Sequence, residues 1–347
     1  MFKRSVFILA LLVTLLAGLL LAPGSFSRAA QSSTTSDPDR PRAFSDWSAP
    51  VNIDTTGSSV NSSVMDQHPA LSRKGLSLFF VSNRTPGVGG LDIWVCQRAS
   101  VKDLWGPPQN LGPVVNSSST ENAPTLSPDG RLLFFASNRP GGNGGNDIWV
   151  SRRHNRRDDF GWGPPVNLGP AINTAADEEG PTYFEDEETG STVLYFTSNR
   201  PWGAGDCNGP KLGDFDIYMS TLQDDETFGC VCLVPELSSP VRDTRTAIRR
   251  DGLEIFITSN RALGQGLLDL WAAKRESTSE PWSTPVNLGS TVNGAFNDGA
   301  PALSFKGTTL YFYSDRPGGL GGNDLQVATR KRLGRDDSDG DDDDDGR

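Results

Sequence analysis

Residues 137–150 read SNRPGGNGGNDIWV, and the same pattern returns four more times along the chain. SNRTPGVGGLDIWV begins at Ser82, SNRPWGAGDCNGPKLGDFDIYM at Ser198, SNRALGQGLLDLWA at Ser259 and SDRPGGLGGNDLQV at Ser314. Asn83, Asn138, Asn199, Asn260 and Asp315 are therefore 55, 61, 61 and 55 residues apart. A period of this length, built from short apolar runs and Gly-rich turns, specifies a propeller or solenoid.

The flanks of the pattern define the repeated unit as four strands. The first lies around ENAPTLS at 121–127 and ends in a Ser-Pro-Asp-Gly turn, with the matching turn glycines at Gly75, Gly190, Gly252 and Gly307. The second, RLLFFAS at 131–137, is apolar on both faces, as a strand sandwiched between sheets must be. The third starts at Asp147 as DIWVSRR. The fourth, WGPPVNL at 162–168, recurs from Trp47, Trp105 and Trp282, and its Pro places it at a sheet edge because Pro cannot donate to a ladder. The chain opens with such an outer strand at Trp47 and closes with a third strand at 324–329. That offset predicts a closed ring, an all-β five-bladed propeller of four-stranded blades in which 47–53 completes the last blade and no sheet edge is left open.

SPDG followed by RLLFFASNRPGGNGGNDIWV resembles the TolB-like, WD-like propeller repeats of exported bacterial proteins, and all five units match. The resemblance implies the propeller over 46–330. For function it implies a range, from envelope scaffolds to domains attached to hydrolases.

The ends support export. Lys3 and Arg4 precede an apolar run at 6–22, and small residues at Ser27 and Ala29 suit cleavage after Ala29, so 1–29 reads as a signal peptide. Once it is removed no span remains, and the protein is expected to be periplasmic or secreted. Residues 30–45 read as a disordered linker and 331–347 as a disordered acidic tail. Eight Asp and one Arg in the last twelve residues give the tail most of the formal charge of −11. The body is only mildly acidic, with one basic cluster at Arg152, Arg153, Arg156 and Arg157 that reads as a solvated loop, so a nucleic-acid surface is excluded. The GGNGG run is followed by a strand and not by a helix N-terminus, which excludes a phosphate loop.

Repeated polar residues point first to structure. Arg84, Arg139, Arg200, Arg261 and Arg316 precede Asp92, Asp147, Asp216, Asp269 and Asp324, and each pair is expected to clamp its loop, with the Asp also accepting backbone N–H groups. A second repeated acid, three residues before the first-strand Pro, is Asp66, Glu121, Glu178 and Asp298, with Thr244 at that place in blade four. These acids either bond backbone and Arg, or ring the channel mouth. No cofactor is expected in the first case; in the second they offer oxygen ligands to Ca²⁺ or carboxylates to a hydrolase.

Departures from the repeat carry the candidates for binding. Blade three has a longer loop with Trp202, Asp206 and Asn208, and Cys207 there is placed to bridge Cys230 or Cys232 in an oxidising space. Blade four carries Arg242 and Arg245, and His68 sits beside Asp66 at the predicted mouth. The favoured expectation is a non-catalytic propeller that binds an envelope or extracellular protein or polysaccharide. The alternative is a carbohydrate-active hydrolase using Asp66, Glu121, Glu178 and Asp298.

Overall fold

The computed structural model describes residues 44–333, apart from 202, 204 and 205. Residues 1–43, with the expected signal peptide and most of the expected linker, and the tail from 334 lie outside the described residues, as does Trp202. The described chain is all-β and forms the five expected sheets.

Blade one is β2 (Asp66–Leu71), β3 (Ser77–Ser82), β4 (Asp92–Gln97) and β5 (Gln109–Asn110). Blade two is β6 (Glu121–Leu126), β7 (Leu132–Ser137), β8 (Asp147–Arg152) and β9 (Val166–Asn167). Blade three is β10 (Glu178–Glu185), β11 (Thr192–Ser198), β12 (Asp216–Thr221) and β13 (Cys232–Leu233). Blade four is β14 (Asp243–Ile248), β15 (Glu254–Ser259), β16 (Asp269–Lys274) and β17 (Val286–Asn287). Blade five is β18 (Asp298–Leu303), β19 (Thr309–Ser314) and β20 (Asp324–Thr329). It is completed by β1 (Val51–Asn52), whose Val51 pairs with Val327 and Asn52 with Gln326, so the ring closes as the offset predicts. Closure begins earlier than expected: Phe44, which the sequence places in the linker, bridges Arg332, and Ser45 donates its N–H to the Lys331 carbonyl. The innermost strands β2, β6, β10, β14 and β18 pack on one another in a ring around the axis.

The core lies between blades. Successive side chains of a strand point to opposite faces, so Phe79 and Val81 of β3 pack with Leu133 and Phe135 of blade two. Leu78 and Phe80 face the other way, onto Ala302, Tyr311 and Leu325 of blade five. This is why the second strands are apolar throughout; each such side chain stabilises by about 1.5–3 kcal/mol when fully buried.

The repeated Trp has a cation over its face. Arg98 lies 4.1 Å from the Trp105 ring, Arg153 4.3 Å from Trp162, Arg275 4.1 Å from Trp282 and Arg330 4.3 Å from Trp47. Arg153 therefore leaves the basic cluster that reads as solvated. It is buried, and its Nη1 meets Asp159 at 2.7 Å, because the stacked ring covers its stem and the carboxylate replaces water. No helix among the described residues is long and apolar enough to cross a membrane.

Candidate active site

Each innermost strand starts with an acid, then two residues that differ from blade to blade, then Pro, or Thr246 in blade four. The pairing with the second strand slips across this stretch in every blade, for example between Gln67 and Ala70 and between Glu179 and Thr182. The residue at the slip takes positive φ each time: His68 52°, Ala123 55°, Gly180 56°, Arg245 47° and Ala300 52°. A bulge of this kind re-aims side chains. Here Gln67, His68, Asn122, Ala123, Glu179, Gly180, Thr244, Arg245 and Ala300 line an axial cavity of about 270 Å³.

Two glycines make room for the largest side chains. A Cβ on Gly299 would stand 2.7 Å from the Tyr313 hydroxyl, so Tyr313 of β19 reaches over Gly299 into the cavity. A Cβ on Gly180 would stand 2.8 Å from Cδ of Arg245, at a φ that disfavours any side chain. Gly180→Ala is expected to cost about 1–2 kcal/mol from the left-handed backbone alone and to displace Arg245. Urea unfolding checks the first effect and a crystal structure the second. An unchanged midpoint would mean that the bulge is not strained.

Of the two readings of the repeated first-strand acids, the contacts fit the structural one, in which they bond backbone and Arg. Asp66, Glu121, Glu178 and Asp298 are 0% exposed. In blade four the place belongs to Asp243, also 0% exposed and paired with Ser259, and not to Thr244. Each acid binds the Arg of its own blade: Asp66 with Arg84, Glu121 with Arg139 (2.8 Å), Glu178 with Arg200 (3.2 Å), Asp243 with Arg261 (2.5 Å) and Asp298 with Arg316 (2.6 Å). The remaining oxygens are occupied too. Glu121, for instance, accepts from the Ser117 N–H at 2.7 Å, the Ser117 hydroxyl at 2.6 Å and the Ser137 hydroxyl at 3.0 Å.

The clamp expected from the sequence is corrected by the same contacts. Asp92, Asp147, Asp216, Asp269 and Asp324 do not hold these arginines; they accept the N–H groups of Val88, Asn143, Leu212, Gln265 and Leu320 in the Gly-rich loops. In blades one, two and four they also take the amides of Asn110, Asn167 and Asn287. Loop N–H groups supply the charge compensation that the clamp assigned to Arg, which leaves Arg to reach the first-strand acid and a backbone carbonyl. Both acid rings are therefore tied into the frame of their blades. Among the described residues no group of three or more His, Cys, Asp or Glu is placed to hold a metal ion.

The cavity instead presents one carboxyl, Glu179. Burial raises its pKa, opposed by the nearby Arg242 charge and reinforced by Asp177. Asn146, from the Gly-rich loop of blade two, orients it with a 2.8 Å hydrogen bond, as Asn323 orients Gln67 at 3.0 Å. Burial, together with the charge of Arg245, holds His68 well below the ordinary histidine range, so its ring is neutral at pH 7. Burial pushes the Arg245 guanidinium down to about 10, which leaves it charged at neutral pH. Thr197, Thr258 and Tyr313, facing the variable residues from the second strands, complete a wall of amides and hydroxyls.

Three sequence candidates thus meet in the cavity: His68, Arg242 and Arg245. Asp206 and Asn208 do not. Asp206 lies 3.6 Å from Arg200, and Asn208 exchanges hydrogen bonds with the Leu233 backbone at 2.7 and 2.9 Å, so both hold the blade-three loop. Cys207 bridges Cys230, and Cys232 remains a free thiol. Glu179, Thr197, Thr258 and Tyr313 escape the sequence reading. The signal was the dipeptide between the repeated acid and the Pro (QH, NA, EG, TR, GA), the one place in a well-kept strand where the blades disagree.

No family model matches the sequence, and no curated protein does. Among solved structures, an α-L-arabinofuranosidase from Podospora anserina in complex with cellotriose is similar, with TM-score 0.54 and 12% identity over 85% of this chain and 99% of that one. The catalytic domain of a GH62 α-L-arabinofuranosidase from Coprinopsis cinerea gives 0.53 and 13% over 84% and 98%. TolB from Acinetobacter baumannii gives 0.45 and 16% over 77% and 55%. The first two likenesses show the fold, and they correct the expectation of a non-catalytic scaffold: the rings on which this chain superimposes over most of its length are those of glycoside hydrolases.

Proposed function

We propose that this chain is a carbohydrate-active hydrolase whose site is the axial cavity, with Glu179 as its general acid. The observation that carries this is the placing of Glu179, a carboxyl with a raised pKa among sugar-compatible amides and hydroxyls on the axis. A general acid must hold its proton near the working pH, and desolvation is the usual means. Asp177 is the second carboxylate beside it. Its oxygens accept from the Asn146 N–H at 2.9 Å and the Asn199 amide at 3.1 Å. One desolvated and one hydrogen-bonded carboxylate is the division of roles that glycoside hydrolysis uses. The substrate is a polysaccharide met outside the cytoplasm, in keeping with the signal peptide expected at 1–29 and with the Cys207–Cys230 bridge.

The test is release of reducing ends from a panel of neutral and acidic plant and bacterial polysaccharides between pH 4 and 8. Release from at least one is expected; none from any would remove the proposal.

A further inference from the structure

Among the described residues five arginines are buried: Arg153, Arg200, Arg245, Arg249 and Arg330. Four of them have a carboxylate. Arg153 meets Asp159, Arg200 meets Glu178, and Arg249 and Arg330 share Glu254. Arg245 is 8% exposed, has no carboxylate within ion-pair distance among the described residues, and its Nε has no hydrogen-bond partner. An uncompensated buried charge is among the costliest features a fold can keep. This one is kept on a left-handed backbone, with Gly180 cleared beneath it.

Its surroundings are prepared for an anion. Arg242 lies beside it at the cavity wall, stacked on Phe215 at 4.1 Å and only 3.7 Å from the exposed Asp214. The Nδ1 atom of His68 is likewise without a partner, and the Tyr313 ring meets the His68 ring edge-on at 5.8 Å. Against two guanidinium groups the cavity sets one carboxyl, Glu179. Arg242 is shared with Asp214, and Asp177 lies beside Glu179 outside the lining, so the guanidinium without a carboxylate of its own is that of Arg245.

We propose that the cavity takes an acidic sugar, a uronate unit of a glycan, with its carboxylate on the guanidinium fork of Arg245 and with Arg242 adding charge. The proposal rests on the carbohydrate reading of the cavity. It joins the two halves of the site. A carboxylate seated on Arg245 opposes the ionised form of Glu179, so binding itself favours the protonated acid that the chemistry requires. The planar fork matches a carboxylate in a bidentate manner that a lysine cannot reproduce.

The experiment is calorimetric titration of the full chain at pH 5.5 and low salt with five probes: glucuronate, galacturonate, glucose, galactose and acetate. At least one uronate is expected to bind tenfold or more tighter than its neutral parent and than acetate. The preference is expected to disappear in Arg245→Gly, which suits the left-handed backbone and so should melt no lower than the parent, and to survive in part in Arg245→Lys. Equal affinity for a uronate and its parent would overturn the acidic-sugar assignment while leaving the carbohydrate site standing. Acetate binding as well as the uronates would reduce the site to a bare anion pocket and overturn it as well. Heat from none of the five would overturn it too, with polysaccharide hydrolysis then deciding the broader reading on its own.

Discussion

Glu179→Gln is expected to lower polysaccharide hydrolysis by about 10²- to 10⁴-fold, the range associated with a general acid, in a protein that folds as before. Gln keeps the shape and can still accept from Asn146, but it has no proton to give. The same substitution should be visible in stability, in the opposite direction. The folded-state pKa of Glu179 is raised by burial, so between its unfolded and folded values the native state holds the extra proton. Stability therefore falls as pH rises through that window and stays lowered above it. The Gln variant carries no such penalty. It should match the parent at pH 4 and exceed it at pH 8, with activity lost throughout. In the parent, activity should fall as pH rises through the raised pKa, because the acid loses its proton there. A variant that is inactive and also less stable at pH 8 would assign Glu179 to the frame and not to the site.

The second large effect lies in the frame. Arg200→Met is expected to cost about 3–5 kcal/mol, the price of leaving a buried carboxylate without its partner. Arg200 is 3% exposed and Glu178 0%. The guanidinium also stacks over Phe196 and Tyr218 at 5.1 and 5.3 Å and donates to the Ile172 carbonyl, tying the first strand of blade three to the turn before it. Met preserves the stem and removes only the charge and its hydrogen bonds. The equivalent change at Arg316, whose side chain is 22% exposed, should cost less, because water reaches that pair. Guanidinium unfolding of the two variants checks both the size and the order. A loss under about 1 kcal/mol at Arg200 would show that the backbone donors around Glu178 suffice without it.

The fold was legible because the repeat writes each physical requirement five times. Doubly apolar second strands, Pro in the outer strands and turn glycines at a fixed offset leave one architecture, and Trp47 at the start of the body marks its closure. The pairing of charges was not legible. Arg139 stands eight residues before Asp147 and eighteen after Glu121, and distance along the chain favours the wrong partner. What decides is that the Gly-rich loop folds its own N–H groups around Asp147, a tertiary fact. The site was half legible for a related reason. His68 and Arg245 stood out as unusual residues, whereas Glu179 was hidden beside Glu178, the repeated acid that strand alternation should have separated from it. Glu178 and Glu179 pair in regular register with Ser198 and Thr197, so alternation does turn them to opposite faces, Glu178 to its Arg and Glu179 to the axis, with the bulge following at Gly180.

The most direct test of the axial site is a crystal structure of Glu179→Gln with the oligosaccharide that the parent hydrolyses. A sugar ring in the cavity, within contact of the substituted side chain and of Arg245 and Tyr313, is the predicted result. A sugar seated on the blade-three loop near Asn208, with the axial cavity holding only water, would contradict it.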